Sequence, residues 1–177
     1  MITIEYVRLM AAYSHWQNDS IYRAADGLSD HDRRAPRGAF FGSIHATLNH
    51  LLWGDQLWLH RLAGTAAPAQ PDIPGSITTH ADWASLRADR AETDAALLDW
   101  SARVTADDLA GDLGWYSGAI QAQVTRPRWV LVVQLFNHGT HHRGQVHAML
   151  TAAGARPEDT DVPFMPQDRY PWARSGG

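Results

Sequence analysis

The residues of this sequence best suited to chemistry are two histidines four positions apart, His138 and His142. Their segment has the apolar spacing of a long helix, and side chains four apart on a helix stack on one face. Two neutral imidazoles placed in this way can direct their nitrogen lone pairs at one divalent cation. No glutamate follows His138, so the zinc-protease pattern with its built-in general base is absent. The pair therefore predicts part of a metal site.

A third histidine could complete that site. His50 lies on a stripe of another predicted helix that is otherwise apolar or small near it, and that stripe comprises Ala46, His50, Trp53, Leu57 and Arg61. If the two helices are neighbours, His50 can face the pair across their interface. Three protein ligands leave zinc a fourth position for water, whose pKa can then reach about 7. Imidazole also suits nickel, iron and copper, so the spacing does not select the ion.

Several residues beside the pair need their own interpretation. Gly139 and Gly144 interrupt the helix, where each glycine costs roughly 1 kcal/mol against alanine, and we expect them to allow close approach of a backbone or a ligand. His141 points about 100° away from His142 and is interpreted as a neighbour of the ligands or a surface residue. Arg143 is interpreted as one half of a structural ion pair, with the positioning of an anionic substrate as the alternative.

The remaining polar residues do not reveal a mechanism. Asp55 could orient a ligand histidine through its other nitrogen, or it could be a solvated charge. No carboxylate is tied to the site by spacing, so no general base and no other catalytic residue is assigned. His45 lies about 140° around the helix from His50 and is not expected to share its metal. Surface or packing roles are expected for His15, His31, His60 and His80.

Four long segments with helical periodicity predict an all-α fold that positions these histidines. Ser43 is a suitable N-cap, Gly27 offers a left-handed stop, and Gly64 and Gly154 end two further segments. Pro127 suits the first residue of the last helix. The predicted helices cover residues 3–25, 43–62, 81–103 and 128–153.

The connections differ in character. Residues 64–79 contain three prolines, cannot sustain a helix and form a long crossover. The glycines and alternating residues of 111–126 predict an irregular loop or a short β-ribbon inserted before the last helix. Residues 155–177 are rich in proline and predict an extended tail, and Phe164 and Trp172 suggest that its middle packs on the body.

Composition limits the remaining possibilities. The chain has 177 residues, which fits a single domain over 1–177. It has no cysteine, which excludes disulfides, thiolate ligands and a cysteine nucleophile. The net charge is -4 with no concentrated basic face, so nucleic acid is an unexpected partner. No signal-peptide core and no run of about 20 apolar residues is found, so we expect a soluble, cytoplasmic protein without a membrane partner.

Two runs of residues resemble motifs of a known protein family. Residues 48–55 read Leu-Asn-His-Leu-Leu-Trp-Gly-Asp, and residues 137–145 read Asn-His-Gly-Thr-His-His-Arg-Gly-Gln. Together with the long link between the second and third predicted helices, they resemble the DinB-like family of damage-inducible four-helix metalloproteins. The second run is the more specific of the two. The resemblance covers roughly residues 3–154.

The resemblance implies an up-down-down-up four-helix bundle, often dimeric. It also implies one divalent metal ion, here expected to be zinc or nickel, on His50, His138 and His142. Some members of the family are thiol-dependent transferases or isomerases that use low-molecular-weight thiols such as mycothiol or bacillithiol. Despite the name, the resemblance implies no DNA polymerase activity.

The leading interpretation is a metal-dependent enzyme acting on a small-molecule substrate. Its open metal position would activate a thiol co-substrate or water, as in an S-transferase or a hydrolase. The alternative is a non-catalytic metal-binding or stress-response dimeric protein, and eight tryptophans offer ample surface for a homodimer contact. A cleft with a cation near the ion would favour the enzyme, whereas a pocket with no polar group beyond the ligands would favour the alternative.

Overall fold

The computed structural model describes residues 2–172, and within them seven helices and one antiparallel ribbon form the regular structure. In chain order these are α1 (Ile4–Asp26), α2 (Asp30–Arg34), α3 (Ile44–Ala63), α4 (Ile73–Ser76), α5 (Trp83–Arg103), α6 (Ala106–Leu109), β1 (Asp112–Ser117), β2 (Ala122–Pro127) and α7 (Arg128–Ala152). The helical fold predicted from periodicity is confirmed. Each predicted long helix agrees with α1, α3, α5 or α7 to within two residues at either end.

The four long helices enclose the core. α3 packs against α7 and α5, and α1 packs against the same two helices, so each long helix has two long neighbours. Two apolar clusters fill the interior. One is centred on Ile21, Leu48 and Leu150, and the other on Val7, Leu97 and Phe136. Because α3 and α7 lie side by side, the predicted ligand helices are neighbours.

Local caps explain where α3 begins and ends. The Ser43 hydroxyl accepts a hydrogen bond from the Ala46 amide, and Gly64 has a φ of 71°, the left-handed value that glycine adopts without strain. The left-handed stop predicted at Gly27 is wrong: its φ is -70°, and its amide bonds the Ala25 carbonyl in a right-handed turn. Ser29 then caps the short α2, which follows α1 after a three-residue turn.

The crossover between α3 and α5 is not wholly irregular. The expectation that its prolines exclude a helix is wrong for α4, which is four residues long. Asp72 caps it by accepting from the Gly75 amide, and Pro74 lies in its first turn, where no backbone N–H is needed. This short helix brings Ser76 into the interior, where it is fully buried.

The insertion before α7 is a β-ribbon, one of the two structures predicted for it; the other was an irregular loop. Strands β1 and β2 pair antiparallel from Asp112 opposite Pro127 to Ser117 opposite Ala122. Pro127 ends β2 and precedes α7, so it is not the first helical residue. The ribbon meets α3 through an edge-to-face contact between Trp115 and Trp58, with ring centroids 5.8 Å apart.

The tail up to residue 172 runs along α1 and contains two 3-10 turns, Val162–Phe164 and Gln167–Arg169. The middle of the tail packs on the body, as predicted, but it does so through Met165, which is buried against α1. Phe164 and Trp172, which suggested this packing, are more than half exposed. The part of the predicted tail after residue 172 lies outside the described residues. Among the described helices, none has both the length and the apolar character that a membrane span requires.

Candidate metal centre

The predicted ligands come from two packed helices. His50 lies on α3, and His138 and His142 lie one turn apart on α7. Gly54 makes the approach possible, since a Cβ at this position would overlap the His138 ring. The two glycines that sequence reasoning selected act differently. Gly139 leaves room for the Arg143 guanidinium, and a Cβ on Gly144 would meet open space.

The three imidazoles converge on one point. One ring nitrogen from each of His50, His138 and His142 lies within 4.8 Å of the others, which could hold a metal ion. The Nε2 atoms of His50 and His138 are 3.3 Å apart. Two nitrogens bound to one tetrahedral zinc at about 2.0–2.1 Å are separated by about 3.3–3.4 Å. The donor set and its spacing therefore fit a divalent cation.

The hydrogen bonds of His50 and His142 leave a lone pair free on each. The Ser76 hydroxyl donates to the Ile73 carbonyl, so its oxygen accepts from His50 Nδ1 at 2.8 Å. His142 Nδ1 likewise donates to the side-chain amide oxygen of Gln145 at 2.8 Å. Each imidazole therefore carries its proton on Nδ1 and has Nε2 available as a ligand.

The centre is largely buried, and burial favours neutral histidines. Burial, reinforced by the neighbouring His138 and His142, lowers the pKa of His50 to about 3. Burial, with His142 as the next cause, lowers the pKa of His138 to about 4. The pKa of His142 is also lowered, mainly by burial. Near neutral pH all three rings are uncharged, which is the state that binds a cation.

Aromatic side chains wall the centre. The Phe41 ring lies 4.0 Å from the His50 ring and 5.5 Å from the His142 ring, measured between centroids. Trp53 lies 5.6 Å from His50, and its indole N–H donates to the Gln70 carbonyl at 2.8 Å. Phe41 comes from the turn before α3, which sequence reasoning did not connect with the site. These rings restrict water on the sides that they cover.

The neighbours of the ligands are only partly as expected. His141 is exposed, and its Nε2 accepts from the Gln145 amide that supports His142. Asp55 neither orients a ligand nor lies in solvent: it is buried and accepts from Arg90 at 2.7 Å. Arg143 pairs with no carboxylate among the described residues, so the ion pair predicted for it is wrong. Its guanidinium donates to the Thr140 hydroxyl and lies 5.7 Å from the Tyr13 ring centre.

The other histidines lie apart from the three ligands. His45 Nε2 bonds the His80 carbonyl, and the His80 ring pairs with Asp89. Sequence reasoning missed Ser76 and Gln145 as supports of the ligands. The signal for Gln145 was its spacing of three residues from His142 on one helix, whereas Ser76 offered no comparable signal.

Comparison with known proteins agrees with this geometry. No curated protein and no solved structure matched the chain. The model of the DinB family matches residues 1–172, nearly the whole sequence. The match includes the α3 and α7 histidines and the crossover that supplies Ser76. The chain therefore belongs to the DinB family.

Proposed function

We propose that this protein is a metal-dependent enzyme whose cation is held by His50, His138 and His142. The observation that carries the proposal is the convergence of three neutral imidazole nitrogens, two of them with their tautomer fixed by a neighbouring side chain. A polar core network would not need free lone pairs directed at one point. Zinc or nickel suits such a donor set, and three ligands leave a position open.

The cation would lower the pKa of a bound thiol or water and so supply a nucleophile near neutral pH. Ser76 and Gln145 keep the ligand rings in place, and Phe41 and Trp53 exclude water beside His50. The chain has no cysteine, so a thiol would be a low-molecular-weight co-substrate. The reaction proposed is an S-transfer or a hydrolysis on a small molecule.

Elemental analysis of protein purified without a histidine tag tests the metal. We expect about one equivalent of zinc or nickel per chain, lost in His142→Ala. His141→Ala is the matched control, because His141 is the adjacent exposed histidine, and it should keep the metal. Wild-type protein that stays metal-free after incubation with zinc and dialysis would overturn the proposal.

Turnover assays then separate the two reactions. Metal-loaded protein is given an electrophilic substrate with and without a low-molecular-weight thiol, and His142→Ala serves as the inactive reference. Product that requires the thiol identifies an S-transferase, and product formed with water alone identifies a hydrolase. Tight metal binding without turnover would instead favour a non-catalytic metal-binding protein.

The up-down-down-up course of the helices and a homodimer are part of the same proposal. Residues 64–82 link α3 to α5. Such a length suits a crossover between two helices that run in the same direction. Light scattering on the purified protein tests the dimer.

A further inference from the structure

The stripe of α3 that carries His50 ends in Arg61, which pairs with no carboxylate among the described residues. His50 and Arg61 are eleven residues apart, which places them about 16 Å apart along the helix and only about 20° apart around it. Trp53 and Leu57 lie between them on the same stripe. Arg61 therefore lies on the same side of α3 as His50, three helical turns further along.

Arg61 is held in a manner that leaves its N–H groups available. Its guanidinium lies 4.8 Å from the Trp58 ring centre and 5.3 Å from that of Trp115. Among residues 2–172, no carboxylate lies within 4.0 Å of it and no acceptor bonds it. Its pKa is lowered, and the cause is burial. Two indoles thus fix the planar group, while its edge can still form two parallel hydrogen bonds with a carboxylate.

A groove of about 530 Å³ lies beside this arginine, between α3, the crossover and the ribbon. Its lining is mixed: Leu57, Pro68, Pro71 and Trp115 are apolar, whereas His60 and Arg61 are polar. Gln70 also lines it, and the Gln70 carbonyl accepts from Trp53, whose ring packs beside His50. Trp53 and Gln70 therefore lie between the groove and His50. A lining that combines apolar and aromatic side chains with an arginine suits a flat organic molecule that carries a carboxylate.

We propose that this groove is a binding subsite for an organic carboxylate, and that Arg61 is its specificity-determining residue. The ligand is a small molecule whose carboxylate bonds the Arg61 guanidinium and whose flat apolar part contacts Trp115 and the proline side chains of the groove. Its description as a substrate rests on the proposed function, whereas the affinity of the groove for a carboxylate does not.

Isothermal titration with benzoate tests the subsite, with benzyl alcohol as the neutral probe of similar shape. Wild-type protein should bind benzoate at least about tenfold more tightly than benzyl alcohol, because only the carboxylate can bond the guanidinium. Arg61→Gln should lose this preference. Arg61→Lys should keep part of it, since lysine retains the charge without the planar fork.

Arg103→Gln is the matched control. Arg103 lies on the exposed part of α5, pairs with Asp99 and does not line the groove, so its loss should leave the benzoate affinity unchanged. Equal binding of benzoate by wild type and Arg61→Gln would overturn the proposal, and so would equal binding of the two probes by wild type. Circular dichroism checks that each variant is folded. If Arg61→Gln does not fold, the benzoate affinity of Arg61→Lys is compared with that of the wild type instead.

Metal-stripped and zinc-loaded protein are titrated in parallel, which separates this inference from the proposed function. Arg61-dependent benzoate binding in a protein that takes up no zinc would support the subsite and refute the proposed metal-dependent function. Zinc binding together with a benzoate affinity that does not depend on Arg61 would refute the subsite and leave the proposed metal site standing.

Discussion

At the scale of single residues, the centre depends on the protonation state of its histidines. Ser76 and Gln145 hold the Nδ1 protons of His50 and His142, and burial keeps both rings neutral. His138 is different, since its Nδ1 is buried without a hydrogen-bond partner among the described residues. Its position depends more on packing than on hydrogen bonding.

The metal-stripped protein should lose stability as the pH falls from about 6.5 to about 4. The pKa of His50 is about 3 and that of His138 about 4 in the folded chain, both below the usual 6.5. In this window the unfolded chain binds more protons, so the stability is complete above it and decreases towards acid. Urea unfolding at a series of pH values measures the slope. His138→Gln should have a shallower slope, and equal slopes in both proteins would contradict the assignment.

Gly54→Ala should displace His138 and weaken zinc binding, because the new methyl group overlaps the imidazole. Such overpacking costs about 1–3 kcal/mol. Zinc titration and urea unfolding measure the two effects. Gly144→Ala is the control, since its Cβ meets open space and alanine should stabilise the helix by up to about 1 kcal/mol. Unchanged zinc affinity in Gly54→Ala would show that the ring has room to move.

At the scale of elements, the site is assembled from segments of different regularity. The two long helices α3 and α7 carry the ligands, while the four-residue α4 supplies the partner of His50. The turn before α3 supplies Phe41. The crossover between α3 and α5 is therefore part of the site as well as a link.

Ser76→Ala should weaken zinc binding by about 10–100-fold while the fold is retained, because His50 loses the acceptor that fixes its tautomer. Competition with a chromogenic chelator measures the affinity. Thr78→Ala is the control from the same segment, since the Thr78 hydroxyl bonds only the Gly75 carbonyl. Equal affinities in the two variants would mean that α4 does not support the ligand.

Sequence patterns predicted which histidines come together better than which residues hold them in place. His50, His138 and His142 lie on long periodic helices, where spacing fixes which side chains share a face. A four-residue helix such as α4 is too short to show a period, so Ser76 could not be identified. The contact of Gly54 with His138 joins two helices, and one sequence does not give their relative rotation.

The tail was predicted less well. In an extended segment the direction of a side chain follows local turns, and here two 3-10 turns bury Met165 and expose Phe164. Size and hydrophobicity alone favoured the aromatic residues. Arg143 was similarly misjudged, because nothing in its local sequence distinguishes an ion pair from a contact with the Tyr13 ring on α1.

At the scale of the whole molecule, a buried charge network ties three long helices together. Arg90 on α5 lies 2.7 Å from Asp55 on α3 and 2.8 Å from Asp94, and Asp94 accepts from Asn18 on α1. Burial raises the pKa of Asp94, so its carboxylate depends on the arginine. The network lies next to the helix turn that carries the metal centre.

Arg90→Met should destabilise the protein by about 3–5 kcal/mol, because two buried carboxylates lose their counterion. Arg103→Gln, which breaks an exposed pair with Asp99, should leave the free energy of unfolding nearly unchanged, because solvent screens this pair. Urea unfolding of both variants at neutral pH measures the difference. Similar values for the two variants would mean that the network adds little to stability.

His50 and His138 are 88 residues apart in the chain, so their nitrogens meet only after α3 and α7 have packed. A cation therefore has no assembled site while the chain is still collapsing, and it cannot guide the early steps. Interactions that form after the folding transition state change the unfolding rate and leave the folding rate nearly unaltered. Zinc should slow unfolding in stopped-flow experiments, while refolding proceeds at the same rate with or without it. The ion would then extend the lifetime of the folded protein without acting as a template for its formation.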